Sequence, residues 1–532
     1  MTEGDQDSDI TRPLPMPDVG DLLFIGVMSI LLFARPDFLF QDASIGWHLV
    51  AGQHIFQTHQ IPYTDLFSYT FPDRAWVAYE WLFDLLAYIL TLLGGFNLLA
   101  VAISALIAFV LVKTYDLCRE NGAGLGIATL TAIIGIFASA VHWLARPHVI
   151  TFLAVYLYVS HLEKFYRGEL SGKRLVATLA PFMVLWVNCH PAFILGPVLT
   201  GAYLGVSILV LIKDRAGAAA ESLKSRCRWL AVTLVGIGAA TLFNPYFLNL
   251  YHYIAHYLKG SSVLAETDEF KSPIFHGDIH AICLEALLAL LVTGLAISKK
   301  RLSGPYLVLL LMFIHLSLSA VRNIPLFALI VVPAIGLLFS DTVLKERLRP
   351  VHEALGGLGP LLAKYGRALA DFDVQERLCK MRILSWLFLV FVTAAALAGG
   401  SLFGSKVLAS GFNDEKVPTA TLTYIQEHRL PFDHGFNYDN WGGLIRYKLG
   451  QRVFIDDRAD FYGEEFYTQY GRIVQVEPGW QDLLDRLSID WILIPRDARL
   501  VAPLSKDSNW KEACRDAGSV LFVRARETPA DH

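Results

Sequence analysis

Charge is scarce in this sequence. Only 18% of the 532 residues are charged, 45 Lys or Arg against 49 Asp or Glu, where soluble domains carry about 25%. That shortfall argues against an ordinary soluble enzyme. Net charge is −4 and no long basic run exists, which excludes a nucleic-acid-binding chain. A hydrophobic share of 54% excludes a disordered one. The six cysteines, Cys118, Cys189, Cys227, Cys283, Cys379 and Cys514, show no CxxC and no paired spacing, so neither a disulfide framework nor a metal cluster is suggested. There is no internal repeat and no low-complexity tract. Residues 1–19 are polar and acidic, and no small-residue cleavage site follows the apolar block 21–40. That block is expected to stay as the first membrane helix.

What the chain has in quantity is long apolar runs. Mean hydropathy is +0.44, and many windows approach the roughly 20 apolar residues that a helix needs to cross a bilayer. Candidate spans are 20–40, 76–95, 96–114, 122–142, 147–165, 174–191, 193–212, 229–243, 280–298, 303–321, 323–340 and 383–403. Basic residues gather in four connectors: four in 161–174, five in 213–228, three in 299–301 and eight in 341–382. The connectors 41–75 and 244–280 hold one and two. Short Lys/Arg-rich loops stay in the cytoplasm. This places 41–75, 244–280 and everything after 403 outside, with 341–382 as a cytoplasmic linker. Residues 75 and 146 then lie on the same side, yet three candidate spans separate them. The conflict predicts either a fourth short helix and thirteen spans, which we favour, or one re-entrant block and eleven.

The expected architecture is a polytopic α-helical membrane domain over 20–403 and an extracytoplasmic α/β domain over 411–532. In the latter, Val453–Ile455, Trp491–Ile494 and Val520–Val523 read as buried strands, and 418–429, 440–449 and 480–487 as helices.

Within such a chain the informative residues are polar groups at helix ends, because desolvating them is costly. Asp42 sits where the first span leaves the bilayer. Residues 43–57 can form an interfacial helix with Trp47 as its anchor. Partial desolvation would raise the pKa of Asp42 towards a general base; alternatively Asp42 is the helix N-cap. Glu80 is a second carboxylate, or an acid favoured by a helix dipole. Arg146 and Arg322 are cations on the side poor in cations, suited to a phosphate or pyrophosphate, or else paired with acids from the outer loops. His190 and Asn323 lie at similar helix ends. His48, His54 and His59 do not share a helical face, which argues against a metal trio. Glu266, Asp268 and Glu269 could hold a divalent cation or simply face solvent; no cofactor is otherwise indicated. In the tail, Asn440-Trp441-Gly442-Gly443 forms a turn into a helix. Asp456, Asp457, Arg458 and Asp460 sit at an expected strand end, as a ligand site or an internal Asp–Arg pair.

At these residues the sequence resembles the GT-C superfamily of integral-membrane glycosyltransferases, more narrowly an uncharacterised bacterial branch. The resemblance runs over most of the chain. It is carried by Asp42/Trp47/His48/Leu49/Gly52, Glu80/Trp81/Leu82, the segment Arg322 to Phe327, and Asn440 to Gly443 with Asp456, Arg458, Asp460 and Tyr462. It implies a multi-pass protein of the bacterial inner membrane with a periplasmic C-terminal domain. It also implies an activity: transfer of a sugar from a polyprenyl-phosphate carrier to a glycan, lipid or protein acceptor. Asp42 is then the base, with Glu80 second. Substrate contacts fall to His48, Arg146, His190, Glu269, Arg322, Asn323, Trp441, Asp456 and Arg458. Two departures are clear. Several GT-C families carry paired acids in the first loop, whereas Asp42 stands alone. No Trp-Trp-Asp motif is present, which argues against transfer to an asparagine sequon. A carrier for a lipid-linked solute and a non-catalytic GT-C-like scaffold are the competing readings; the outer placement of the polar clusters disfavours the carrier.

Overall fold

The computed structural model describes residues 17–214, 217, 220–259, 268–340, 371–376, 382–430 and 434–525. Most of the expected cytoplasmic linker 341–382 and of the tail 1–19 therefore lies outside the described residues. Helix α1 (Val19–Ser29, prolonged by a π turn over Ile30–Ala34) starts with a capping box: Asp18 Oδ1 accepts from Asp21 N at 2.6 Å, and Asp21 reaches back to Asp18 N. Arg382 ties Asp18 to Asp116 (3.2 and 2.9 Å). These contacts mark one end of a helical bundle. At the other end sits the C-terminal domain.

At the domain end lies α2 (Ile45–Thr58), followed by α3 (Trp81–Glu120), whose 40 residues break at Gly94 and Gly95. Gly95 has φ 63° and ψ −160°, a conformation open in practice only to glycine. The break explains the span conflict. Asn97 Oδ1 accepts from Ser410 N at 2.8 Å, at the same end as Glu80, while Arg119 pairs with Asp373 and Glu376 (2.6 and 2.8 Å) at the opposite one. Residues 81–93 therefore run along the domain end, and only 96–120, about 37 Å long, traverses. The candidate span 76–95 is corrected accordingly: no fourth helix completes a thirteen-span chain.

Among the described residues eleven helices build the bundle. They are α1, the second part of α3, α4 (Leu125–Ser139), α5 (His148–Tyr166), α6 (Gly172–Val187), α7 (Leu195–Lys213), α8 (Ala220–Ala240), α10 (Ile279–Ile297), α11 (Gly304–Ser319), α12 (Ile324–Leu338) and α13 (Ile383–Leu397); α9 (Asn249–Lys259) lies at the domain end. Five helical segments are long and apolar enough by themselves to cross a bilayer. Helix α12 is the axis, buried along nearly its whole length. Leu209, Val235, Val292, Leu311 and Trp386 project outward, more than a third exposed, as a hydrocarbon solvent permits.

The C-terminal domain holds a four-stranded sheet in the order β1 (Gly435–Asn437), β2 (Trp491–Pro495), β4 (Ser519–Arg524), β3 (Trp510–Arg515). The first pair is parallel, the others antiparallel. Helices α14 (Thr419–Glu427), α15 (Gly442–Leu449), α16 (Glu464–Val474) and α17 (Trp480–Arg486) pack around it. Val453–Ile455, expected as a strand, is instead a buried loop. Asn437 holds it, accepting from Phe454 N (3.0 Å) and donating to Ile455 O (2.8 Å); Phe67 and Tyr69 of the first loop bond the Val453 backbone, and the Thr70 hydroxyl donates to Phe454 O (2.7 Å).

The two parts share one core. Trp47, expected as an interface anchor, is buried against Phe67 and Trp76, in a cluster with Phe454, Phe461 and Tyr462. Helices α2 and α15 meet at glycines: a Cβ on Gly46 would lie 2.6 Å from the Gly443 carbonyl, and one on Gly443 2.7 Å from Trp47 N. The Trp-Gly-Gly and Asp-x4-Trp-His segments are thus two faces of one contact. Gly46→Val should lower stability by about 1–3 kcal/mol in thermal unfolding. Gly26→Ala, with nothing within 4 Å of the added Cβ, should lose none.

Candidate active site

The polar residues that define the site lie in the breaks between helices at the domain end. Arg146 is followed by Pro147 and His190 by Pro191. Arg322, in a one-turn 3-10 helix (Val321–Asn323), is followed by Pro325. Each proline stands at or beside the first turn of the next helix, where its missing N–H costs nothing. The chain turns there, and the residue before each turn points into the space beneath the C-terminal domain.

That space is a cleft of about 780 Å³. The helical part lines it with Asp42, His48, Glu80, Arg146, His190, Glu269 and Arg322, and the C-terminal domain with Asn440, Asp457, Arg458, Tyr467 and Tyr470. Glu269 lies between the two arginines, Oε1 at 3.1 Å from Arg322 Nη1 and Oε2 at 3.7 Å from Arg146 Nη1. His142 Nε2 approaches the same carboxylate at 3.8 Å. Trp186 donates to the Thr151 hydroxyl (3.0 Å), which lies 2.9 Å from His190 Nδ1. The hydroxyl is placed to donate to Nδ1, leaving the His190 proton on Nε2. Burial and the nearby arginines hold His190 well below the usual histidine pKa, so it is neutral.

Asp42 accepts four hydrogen bonds. Arg146 Nη1 reaches Oδ2 at 2.9 Å, and Oδ1 takes Ser44 N (2.9 Å), Ser44 Oγ (2.6 Å) and Asn440 Nδ2 (3.2 Å). Burial pushes its pKa up, but Arg146, Ser44 and Asn440 outweigh burial and the net shift is downward. The raised pKa expected from depth alone is corrected by these donors. Asp42 is not the helix N-cap either; that position is Ser44. Glu80 is the group that burial raises, to about 8. It occupies the N-cap position of α3 without making a side-chain cap bond.

The cleft thus gathers Asp42, Glu80, His48, Arg146, His190, Glu269, Arg322 and Arg458. Three other candidates turn elsewhere. Asn323 donates to Leu316 O (3.0 Å) and Trp441 to Lys416 O (3.0 Å). Asp456 is fully buried with Arg458 (2.7 and 2.8 Å), which also reaches Asp65 at 2.7 Å. This is the internal Asp–Arg pair, and it locks the first loop to the domain. Arg146 and Arg322 both carry acidic partners from the outer loops, as the alternative reading expects. His48 Nδ1 pairs with Asp84 at 2.6 Å, both buried. Glu266 lies outside the described residues, and among those described no three His, Cys, Asp or Glu could jointly hold a metal ion. Ser44, Asn440 and Asp457 join the site although each lies beside, rather than at, a position the sequence marks as a substrate contact or base. His142, in the turn before α5, and Tyr467 and Tyr470, one turn apart on α16, carry no motif that marks them in the sequence.

No protein-family model and no curated protein matches the sequence. Solved structures do. The fold is similar to that of an oligosaccharyltransferase from Archaeoglobus fulgidus in its apo form, 12% identical over 90% of this chain and 69% of that one, with a TM-score of 0.50. ArnT from Cupriavidus metallidurans bound to undecaprenyl phosphate also matches, 12% identical over 94% and 97%, with a TM-score of 0.47. At this identity the likeness shows the fold alone: the chain folds as that oligosaccharyltransferase does. In that multi-pass fold the cleft lies between the helical bundle and the C-terminal domain.

Because the folded-state pKa of Glu80 is raised, its contribution to stability is complete below the ordinary carboxylate value of about 4.3. It is lost as pH climbs towards 8. Glu80→Gln should therefore unfold higher than the parent at pH 8.5, by roughly 2 °C or more, and no higher at pH 5. Equal melting differences at both values would show that Glu80 is ionised throughout.

Proposed function

We propose that this chain is a membrane glycosyltransferase that moves a sugar from a polyprenyl-phosphate carrier to an envelope glycan, lipid or protein acceptor. On this reading the cleft opens on the outer face of a bacterial inner membrane. The observation that carries the proposal is the convergence of Arg146 and Arg322 on one anionic group, in the cleft that also holds Asp42. Two guanidiniums around a single oxyanion are suited to a phosphate, and the Glu269 carboxylate stands at that place.

The donor phosphate would sit against Arg146 and Arg322, with its isoprenoid tail running out among the helices. The acceptor hydroxyl attacks the anomeric carbon from the opposite side. The new O–C bond forms as the bond from that carbon to the phosphate oxygen breaks, and the electron pair leaves on the phosphate, where the arginines stabilise it. The acceptor proton goes to Asp42. A carboxylate held ionised by four donors is a weak base, which suffices here. The hydroxyl becomes acidic only as it bonds to a carbon with oxocarbenium character. Neutral His190 presents an N–H to the cleft, suited to a sugar hydroxyl. The absence of a Trp-Trp-Asp motif weighs against an asparagine-sequon acceptor.

The test is transfer from polyprenyl-phosphate sugars by the purified chain in lipid. Asp42→Asn should cost about 100-fold or more with expression and melting temperature intact. Arg322→Gln should weaken donor binding about tenfold or more. Unaltered transfer by Asp42→Asn would remove Asp42 as the base. Absence of transfer with any polyprenyl-phosphate sugar would leave the scaffold reading.

A further inference from the structure

Ser44 makes two contacts that cannot both be donated by its one proton. Its Oγ lies 2.6 Å from Asp42 Oδ1 and also in hydrogen-bond contact with Asp457 Oδ2. A hydroxyl carries a single hydrogen. If both carboxylates were ionised, one contact would set an oxyanion against a lone pair. One of the two acids must bring the second proton.

The surroundings decide which. Asp42 already accepts from Arg146, Ser44 N and Asn440, so its ionised form is fully served. Asp457 has no such set. Its Oδ2 is 3.7 Å from Arg146 Nη2 and its Oδ1 is buried without a hydrogen-bond partner. An orphaned oxygen costs far less on a neutral acid than on a carboxylate. The other charged or titratable groups that act on Asp457 are Arg146, before α5, Glu80, before α3, Tyr467, on α16, and its own neighbour Asp456. Only the first is a cation. Burial raises Asp457 to about 8, in keeping with the hydrogen count.

We propose that Asp457 is a positioning residue that stays protonated at neutral pH and donates through the Ser44 hydroxyl, so that Ser44 in turn donates to Asp42. The order is Asp457 O–H to Ser44 Oγ, and Ser44 O–H to Asp42 Oδ1. The two acids together carry one negative charge, and it resides on Asp42. The chain of bonds also joins the C-terminal domain to the first loop at the reacting group. This rests on the reading of Asp42 as the base. After Asp42 takes the acceptor proton the pair is neutral, and loss of one proton to solvent restores the resting state.

The protonation can be read without turnover. Infrared difference spectra of the purified chain at pH 6.5 should show, among the carboxylic-acid carbonyl bands, one that disappears in Asp457→Asn and persists in Glu80→Gln, which removes the Glu80 band instead. In Ser44→Ala the same band should remain but move to higher frequency, because its O–H has lost its acceptor. This second variant also serves if Asp457→Asn does not fold. A spectrum unchanged by Asp457→Asn would overturn the proposal, as would a Ser44→Ala band at the parent position. The band with no sugar transfer would keep the proton assignment and sink only the glycosyltransferase reading.

Discussion

Arg146 reaches from the turn before α5 to Asp42 at the mouth of α1, and much of the site is arranged around that 2.9 Å contact. A guanidinium three-quarters withdrawn from water is best neutralised nearby. Asp42, Glu269 and Asp457 all face it, at 2.9, 3.7 and 3.7 Å. These acids come from three regions distant in sequence: the first loop, the loop before α10 and the C-terminal domain. The cation therefore does for the cleft what the shared aromatic core does beside it. It forces the soluble domain and the helical bundle to close on one another.

The same arrangement leaves the cleft prepared for an anion. Arg146 and Arg322 are each satisfied by a carboxylate, so neither cation is stranded. A phosphate entering would replace one internal acid with another of higher charge, and the guanidinium fork has enough N–H groups to serve both. The acids are not equivalent. Asp42 is pulled down by its four donors, while burial lifts Glu80 and Asp457 towards 8. Carboxyl groups so separated in pKa can take separate roles within one cavity.

How much was legible in the sequence follows from the range of each signal. Apolar runs and the Lys/Arg bias gave the bundle and the sidedness argument, because both act over long stretches. Parity shows a conflict somewhere within 76–145, but hydropathy cannot choose between a missing helix and a lying one. The Gly94–Gly95 break decides that, and only as a pair of dihedrals. Asp42, Arg146 and Arg322 were legible because charge at a helix end in a membrane is expensive. The pKa of Asp42 was not, since depth was visible and Ser44, Asn440 and Arg146 around it were not. Val453–Ile455 has strand composition, but its backbone partners are Asn437 and the first loop rather than a ladder. Strand β3 is polar at the sheet edge, and β1 is three residues long. Neither carries a pattern to find. Asp456 and Arg458 looked like a ligand pair and are closed on each other and on Asp65.

The central claim is that Arg146 and Arg322 form the seat of a lipid-linked phosphate. A cryo-EM structure of the chain in nanodiscs with a polyprenyl phosphate tests it most directly. The phosphate should lie within hydrogen-bond reach of both guanidiniums, with the Glu269 carboxylate displaced from between them and the tail leaving between helices. A lipid head bound elsewhere, with both arginines still closed on Asp42 and Glu269, would contradict it.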